Sequence, residues 1–244
     1  MCATCGCGTD VAHDHQTVTT VTLEQRVLAH NDELAEHNRE WLAARGILAV
    51  NLMSSPGSGK TTLLERTIRE LDLPVSVVEG DQETSFDADR IRATGRPVVQ
   101  INTGAGCHLD ADMVHHALHD LDPPAGSVVF VENVGNLVCP ALFDLGEGHR
   151  VVIISVTEGT DKPLKYPHMF RTADLVLLNK IDLLPYVDFD VPRFAEYVNR
   201  INLAASVIQV SATKGDGTPA WYRWLRDRTG GNRHGGREGA RVGT

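Results

Sequence analysis

Runs of consecutive apolar residues recur along the chain and alternate with segments in which apolar residues repeat at helical spacing. Runs without polar alternation are typical of strands buried on both faces, as in parallel sheets covered by helices. The pattern therefore predicts an α/β fold with a mostly parallel sheet flanked by helices. The predicted strands are Ile47–Met53, Val75–Glu79, Val98–Asn102, Ser127–Glu132, Arg150–Val156, Leu175–Asn179 and Ser206–Val210. The predicted helices include Thr61–Leu71, Ala88–Thr94, Asp110–Asp120, Pro192–Ile201 and Pro219–Asp227.

One more helix is predicted ahead of the first strand. Thr22 and Gln25 have the spacing of a capping box, which marks a helix N-terminus, and Gly46 marks the end of the helix. Residues 1–21 combine a start rich in Cys and Gly with a polar stretch, so we expect a flexible arm. Residues 22–228 are expected to form one folded domain. Residues 229–244 are rich in Gly, show no apolar period and are expected to be a disordered tail.

Composition and charge narrow the possible functions. The 244 residues are enough for one sizeable α/β domain. The 23 basic and 32 acidic residues give a net charge of -9, which argues against a general nucleic-acid binder. No stretch approaches the roughly 20 apolar residues that span a bilayer, so no membrane span is expected. The N-terminus lacks the pattern of a secretory signal, so we expect a cytoplasmic protein.

The loop after the first strand has the pattern of a phosphate-binding loop. It reads Ser54-Ser55-Pro56-Gly57-Ser58-Gly59-Lys60-Thr61-Thr62 and lies between a predicted strand and a predicted helix. Glycines let backbone N–H groups surround phosphate oxygens, and the helix N-terminus adds partial positive charge. Lys60 would neutralise the β- and γ-phosphates, and the Thr61 hydroxyl would bind Mg²⁺. Ser54 stands where the first glycine of this motif is usual. The predicted nucleotide contacts here are Gly57, Ser58, Gly59, Lys60, Thr61 and Thr62.

Two later segments indicate that the nucleotide is GTP. Asn179-Lys180-Ile181-Asp182 follows a predicted strand. The Asp182 carboxylate can accept hydrogen bonds from guanine N1–H and the N2 amine, which adenine lacks. Lys180 can lie over the base. Ser211 and Ala212, after the last predicted strand, would offer backbone contacts to the guanine oxygen.

Two carboxylates lie at strand ends that should face the phosphates, Asp81 and Glu132. Either one can hold Mg²⁺ directly or through water, because this ion prefers hard oxygen ligands. The alternative for Asp81 is a helix or turn cap. The predicted catalytic set is Lys60, Thr61, Asp81 and Glu132. Since no residue stands out as the base that activates water, slow hydrolysis is expected.

The cysteines form two candidate metal sites. Cys2, Cys5 and Cys7 place three thiolates within six residues, and with the terminal amine they could make a square-planar Ni²⁺ site. Cys107 and His108 follow the third predicted strand. Cys139 follows the fourth.

Cys107, His108 and Cys139 together suit Zn²⁺ or Ni²⁺. The alternative is that the two cysteines are buried structural residues and not metal ligands. Glu132 and Cys139 share one loop, so a change at the γ-phosphate could move a metal ligand. His115, His116 and His119 lie near no cysteine, and we expect them to form a solvated helix face.

Taken together, these motifs resemble the HypB family of hydrogenase nickel-incorporation GTPases. The segments that carry the resemblance are Met1–Cys7, Ser54–Thr62, Glu79–Asp81, Gly106–Leu109, Glu132–Pro140 and Asn179–Asp182. The resemblance implies a SIMIBI-class P-loop NTPase that assists nickel delivery to the [NiFe] hydrogenase large subunit. It also implies a nucleotide-dependent homodimer, a HypA-type zinc-binding partner, a tight nickel site at the N-terminal cysteines, and a second nickel or zinc site at Cys107, His108 and Cys139.

Three other functions compete with this interpretation. The urease accessory GTPase UreG is similar in fold, but its metal site centres on a Cys-Pro-His tripeptide that this chain lacks. A P-loop nucleoside kinase would not need Asn179–Asp182. A metal-buffering protein with a vestigial nucleotide site would not need Lys60 and Thr61.

Overall fold

The strands form a single sheet in which neighbouring strands run parallel. The computed structural model describes residues 14–81, 86–104, 106 and 108–229, with side chains from residue 26 onward. The strands are β1 (Leu48–Ser54), β2 (Val75–Asp81), β3 (Val98–Asn102), β4 (Val128–Glu132), β5 (His149–Ser155), β6 (Leu175–Asn179) and β7 (Ser206–Gln209). They lie in the order β3-β2-β4-β1-β5-β6-β7, and each adjacent pair is parallel. The predicted seven strands are therefore confirmed, and the parallel arrangement extends over the whole sheet.

Helices cover both faces of the sheet. They are α1 (Asp14–Ala44), α2 (Lys60–Glu70), α3 (Phe86–Arg92), α4 (Ala111–Leu121), α5 (Lys162–Lys165), α6 (Pro167–Arg171), α7 (Val191–Ile201) and α8 (Thr218–Thr229). Two 3₁₀ segments, Cys139–Ala141 and Ile181–Tyr186, follow β4 and β6. The short α5 and α6 were not predicted, because four or five residues are too few to show a helical period. In the part of the chain that the structure describes, no helix has the length and apolar content to cross a membrane.

Helix α1 begins earlier than the capping box predicts. It starts at Asp14 instead of Thr22, and it ends at Ala44, just before Gly46 (φ 62°), as predicted. The predicted start was wrong because extending an existing helix adds a hydrogen bond for each residue, whereas only its first turn carries the cost of nucleation. A helix can therefore extend N-terminally beyond a capping box. Residues 1–13 of the predicted arm and 230–244 of the predicted tail lie outside the described residues.

Alternate strand residues supply two hydrophobic faces. On one face Leu48, Val50 and Leu52 of β1 pack with α2 and α8. On the other face, Ala49 belongs to a cluster with α1 and α4, while Met53 belongs to a cluster with α6 and α7. This three-layer arrangement leaves the carboxyl ends of the strands at one open edge, where ligands bind in such folds.

Buried polar contacts hold α1 against the domain. The Asn38 side chain is almost fully buried, and its Nδ2 donates to the carbonyl oxygens of Ala111 (2.8 Å) and Leu145 (3.1 Å). Arg39 adds a two-point ion pair to Asp144, at 2.8 and 2.7 Å. The loop around Gly146 therefore packs directly on the helix.

Replacing Gly146 with alanine should destabilise the fold strongly. Its φ is 84°, and an added Cβ would meet Asn38 Cβ at 2.5 Å and collide with the Ala35 carbonyl. Gly126 is the matched control, because its φ is 73° but the space around it is open. We expect a loss of about 1 kcal/mol for Gly126→Ala from backbone strain alone and of roughly 3 kcal/mol or more for Gly146→Ala. Urea unfolding would measure both, and equal losses would contradict the packing argument.

Candidate nucleotide site and metal-binding loops

The loop between β1 and α2 is a tight turn that needs its glycines. Gly57 and Gly59 have φ values of 74° and 92°, in the left-handed region that favours glycine. A Cβ on Gly59 would lie 2.5 Å from Asn179 Nδ2, so space as well as backbone conformation requires glycine there. Helix α2 starts at Lys60, and no side chain caps its N-terminus. Its first backbone N–H groups have no partner within the helix and can serve an anion.

The first two residues of α2 contact the end of β4. Lys60 Nζ donates to the Asn133 carbonyl and lies 3.5 Å from Glu132 Oε1. Thr61 Oγ1 donates to the same Glu132 oxygen at 2.6 Å. The lysine, the hydroxyl and one predicted Mg²⁺ carboxylate therefore form a connected group.

Glu79 is a member of this group that the sequence analysis did not select. It lies directly opposite Glu132 in the pairing of β2 with β4, and the two residues are only 2% and 1% exposed. One oxygen of each carboxylate, Oε2, has no hydrogen-bond partner among the described residues. Burial, followed by repulsion from Glu132 and Asp81, raises the pKa of Glu79 to about 8. A charged residue ending an apolar strand two positions before Asp81 was the available signal.

This donor set fits a magnesium ion. Mg²⁺ prefers hard oxygen ligands. The Thr61 hydroxyl contacts Glu132 Oε1, and the Oε2 atoms of Glu132 and Glu79 are buried without a hydrogen-bond partner among the described residues. Asp81, at the end of β2, is close enough to Glu79 to raise its pKa. An ion at this point would favour the ionised form of Glu79 and give the buried Oε2 atoms a partner.

Asn179 connects the phosphate loop to the loop after β7. Its Nδ2 donates to the Ser58 carbonyl at 2.9 Å, and its Oδ1 accepts from the Ala212 backbone N–H at 3.0 Å. The side chain is fully buried. Asn179 therefore braces the phosphate loop against Ala212. Its contact with the nucleotide, which the sequence predicts, stays a prediction.

The remaining residues of the predicted guanine site surround this brace. Asp182 Oδ1 accepts from Ser211 Oγ at 2.6 Å, which orients the carboxylate. Lys180 has a φ of 61°, and its Nζ donates to the Gly57 carbonyl at 2.7 Å, so its stem crosses the phosphate loop. All the sequence-predicted nucleotide segments thus meet at the carboxyl edge of the sheet.

Asn133 links the same site to the loop that carries His108. Its backbone carbonyl accepts from Lys60, and its Oδ1 accepts from the backbone N–H groups of Leu109 (3.3 Å) and Val134 (2.9 Å). The side chain is completely buried. A single residue therefore contacts the phosphate-loop lysine and both segments on which the second metal site was predicted.

Of the predicted cysteine and histidine metal ligands, only His108 and Cys139 lie among the described residues. Cys2, Cys5, Cys7 and Cys107 lie outside the described residues, so both cysteine sites stay predictions. Cys139 starts a 3₁₀ turn, is half-buried, and accepts a long contact from Asn136 Nδ2 at 3.7 Å.

His108 stacks on Phe143, with ring centroids 3.8 Å apart, and burial lowers its pKa. No group of three or more His, Cys, Asp or Glu side chains is arranged around a common point within residues 26–81, 86–104, 106 and 108–229.

Comparisons with known proteins agree with this geometry. Residues 48–209 match the family CobW/HypB/UreG, nucleotide-binding domain. The hydrogenase maturation factor HypB of Azotobacter vinelandii is 58% identical over 210 residues, which are 85% of this chain and 69% of that protein. The crystal structure of HypB from Helicobacter pylori in complex with nickel superposes with a TM-score of 0.79 at 38% identity, covering 85% of this chain and all of the other.

A more distant structure shows the wider fold class. The signal recognition particle 54 kDa protein from Aeropyrum pernix, solved in complex with GDP, matches 75% of this chain and 46% of its own with a TM-score of 0.51. At 13% identity this likeness concerns the fold alone. It agrees with the predicted parallel sheet flanked by helices. By sequence and by structure, the chain belongs to the HypB family of hydrogenase maturation factors and carries that family's P-loop nucleotide-binding domain.

Proposed function

We propose that the chain is a GTP-hydrolysing nickel metallochaperone that assists nickel insertion into the [NiFe] hydrogenase large subunit. The observation that carries the proposal is the position of Asn133, which contacts Lys60 of the phosphate loop and the loop of the predicted second metal site. The names of the related proteins, hydrogenase maturation factors and a nickel complex among them, support the same role.

The phosphates of GTP would lie over the N-terminus of α2. There the backbone N–H groups that follow Gly57 surround the β-phosphate, and Lys60 turns from the Asn133 carbonyl to the γ-phosphate. The guanine would reach Asp182, whose carboxylate is already oriented by Ser211 and has a second oxygen for the N1–H and N2 donors. Lys180 and Ala212 would border the base.

Magnesium would be held at Thr61 with Glu132 and Asp81, and Glu79 would lie beside them. When bound, the ion would neutralise charge that develops on the phosphate oxygens during hydrolysis. Thr61 would exchange its hydrogen bond to Glu132 for the ion, and Glu132 would position a water or the ion itself. Among the described side chains of this group, none stands out as the base that activates water, so the slow intrinsic rate remains our expectation.

Nickel would be the cargo at two places, a tight site at Cys2, Cys5 and Cys7 and a second site for nickel or zinc at Cys107, His108 and Cys139. Departure of the γ-phosphate returns Lys60 to the Asn133 carbonyl. Because the Asn133 side chain holds the Leu109 and Val134 backbone, this movement would shift the segments that carry His108 and Cys139. Nucleotide state and metal affinity would thereby be coupled.

Partners would bind at the same edge of the domain. Val138 and Leu142, on either side of Cys139, are exposed to 52% and 54%, which supports a nucleotide-dependent homodimer across this surface. A HypA-type zinc-binding chaperone and the hydrogenase large subunit would be the exchange partners, in the cytoplasm. The domain division at residues 21/22 and 228/229 is part of this proposal, with the segment before residue 22 carrying the first nickel site. Residues 14–21 of that segment are the first eight residues of α1.

Removing the Asp182 carboxylate should weaken guanine recognition. Asp182→Ala is expected to lower GTP affinity by ~10- to 100-fold, because two charge-assisted hydrogen bonds are lost, and to leave ATP binding unchanged. Asp188→Ala, an exposed aspartate on the following segment, is the matched control. Equilibrium binding and turnover of GTP and ATP would measure both variants. Equal losses for the two nucleotides would contradict the assignment of Asp182.

Neutralising Glu79 should change the pH dependence of folding in the absence of Mg²⁺ and nucleotide. Its pKa of about 8 is above the value of 4.5 for an unperturbed glutamate, so the folded state binds a proton that the unfolded state releases. Stability from this group is therefore full at low pH and is lost as the pH rises through about 8.

Glu79→Gln should flatten the decline in the urea midpoint between about pH 5 and about pH 8, the range set by the unfolded pKa of 4.5 and the folded pKa of about 8. Glu196→Gln is the control, because Glu196 forms an exposed ion pair with Arg200, and this variant should keep the decline of the wild type. A decline of unchanged slope in Glu79→Gln would refute the argument.

Removing the Lys60 amine should make the nickel affinity of the second site independent of GTP. With Cys2, Cys5 and Cys7 replaced by serine, so that only the second site is titrated, GTP should change the nickel affinity of the chain. Lys60→Ala should abolish this change and lower GTP turnover by about 100-fold. Lys165→Ala, an exposed lysine paired with Asp161, is the control. Persistence of the GTP effect in Lys60→Ala would show that coupling does not pass through Lys60 and Asn133.

A further inference from the structure

Several histidines meet where α1 packs against α4, on a surface separate from the nucleotide site. His115, His116 and His119 lie on α4, and His37 of α1 is near enough to lower the pKa of His115. His116 and His119 are exposed, whereas His115 is half-buried. The expected solvated face is therefore only partly correct, because His115 belongs to the contact between the two helices.

A partly buried hydrogen bond sets the tautomer of His115. The Nδ2 group of Asn38 donates to the carbonyls of Ala111 and Leu145, which fixes its amide orientation and leaves Oδ1 as an acceptor. His115 Nδ1 lies 3.0 Å from this Oδ1 and must carry the proton. The lone pair of the neutral ring is then on Nε2. Metal-binding histidines are commonly oriented in this way, with the second ring nitrogen donating to an oxygen.

His119 brings a second imidazole to the same place. It follows His115 by one helical turn, and the ring centroids are 4.6 Å apart at an interplanar angle of 71°. Residues at i and i+4 on a helix face the same side, which is the spacing that lets two histidines share one ion. Trp41 of α1 packs against His119, with centroids 5.7 Å apart.

We propose that His115 and His119 chelate one divalent metal ion of borderline softness, Ni²⁺ or Zn²⁺, through their Nε2 atoms. Imidazole nitrogen suits both ions. No third ligand is in place among the side chains that the structure describes, so water or an exchange partner fills the remaining positions. The site is thus open and weaker than a thiolate site. The Asp112 carboxylate, one turn before His116, adds favourable negative charge to this face.

The position of the pair gives it a use. Helix α4 begins at Ala111, three residues after His108, so His115 and His119 lie about one and two turns along the helix that leaves the predicted second site. An open two-histidine site there would hold an ion loosely, within the same domain, before or after thiolates take it.

Trp41 provides a local signal for the experiment. Nickel sulfate would be titrated into the full chain while tryptophan emission is recorded, because Ni²⁺ bound beside the indole should quench it. Trp41→Phe would show whether the quenching belongs to Trp41, since Trp221 and Trp224 are buried elsewhere. We expect a saturable quenching phase that survives when Cys2, Cys5 and Cys7 are replaced by serine.

His119→Ala should weaken this phase by ~10-fold or more, because one of two chelating ligands is lost. The ring is exposed, so the fold should be retained, and a circular dichroism spectrum would verify this. His119→Cys, which supplies another ligand, should restore binding. His116→Ala is the matched control on the same helix and should behave as the wild type. Quenching that is unchanged in His119→Ala, lost equally in His116→Ala, or retained in Trp41→Phe would overturn the proposal.

Discussion

Parallel pairing of β4 with its neighbours β1 and β2 is the constraint on which the rest of the site depends. The register aligns Glu132 with Glu79 on one side and with Leu52, two residues before the phosphate loop, on the other. Because parallel strands end at the same edge, the lysine, the hydroxyl and two carboxylates come together without any local sequence proximity. Asn179 then fixes the distance from this group to the loop beyond β7.

The fold buries two adjacent carboxyl groups, Glu79 and Glu132, at a cost to its own stability. Burial, and then repulsion from the neighbouring Glu132, raises the pKa of Glu79 to about 8, so this carboxyl group keeps its proton to an unusually high pH. Lys60 compensates only part of this charge, since it also donates to a carbonyl. Buried oxygen atoms without a partner, such as Oε2 of Glu79 and of Glu132, are typical of a site that binds a ligand, because natural proteins retain such local conflicts mainly where function requires them.

A few buried hydrogen bonds connect the nucleotide site to the loops of the predicted second metal site. Asn133 is buried and contacts three different segments. Its backbone carbonyl accepts from Lys60 of the phosphate loop, and its Oδ1 accepts from the chain after β4 and from the chain before α4. Packed interiors deform little, so a change at one of these contacts must be taken up by the others. On the far side of α4, the Asn38 side chain likewise joins α1 to the start of α4 and sets the tautomer of His115.

The sequence alone determined what depends on neighbouring residues. The apolar runs located all seven strands, and the glycine pattern and Asn179–Asp182 located the nucleotide segments, because burial and backbone conformation leave local signatures. Tertiary structure alone decided the contacts between distant residues. Glu79 beside Glu132, the bracing role of Asn179 and the proton on His115 Nδ1 each depend on a partner more than 30 residues away, and no period or spacing in the chain encodes such a partner. The start of α1 at Asp14 was missed for a different physical reason, since helix propagation is cooperative and overrides a single capping signal.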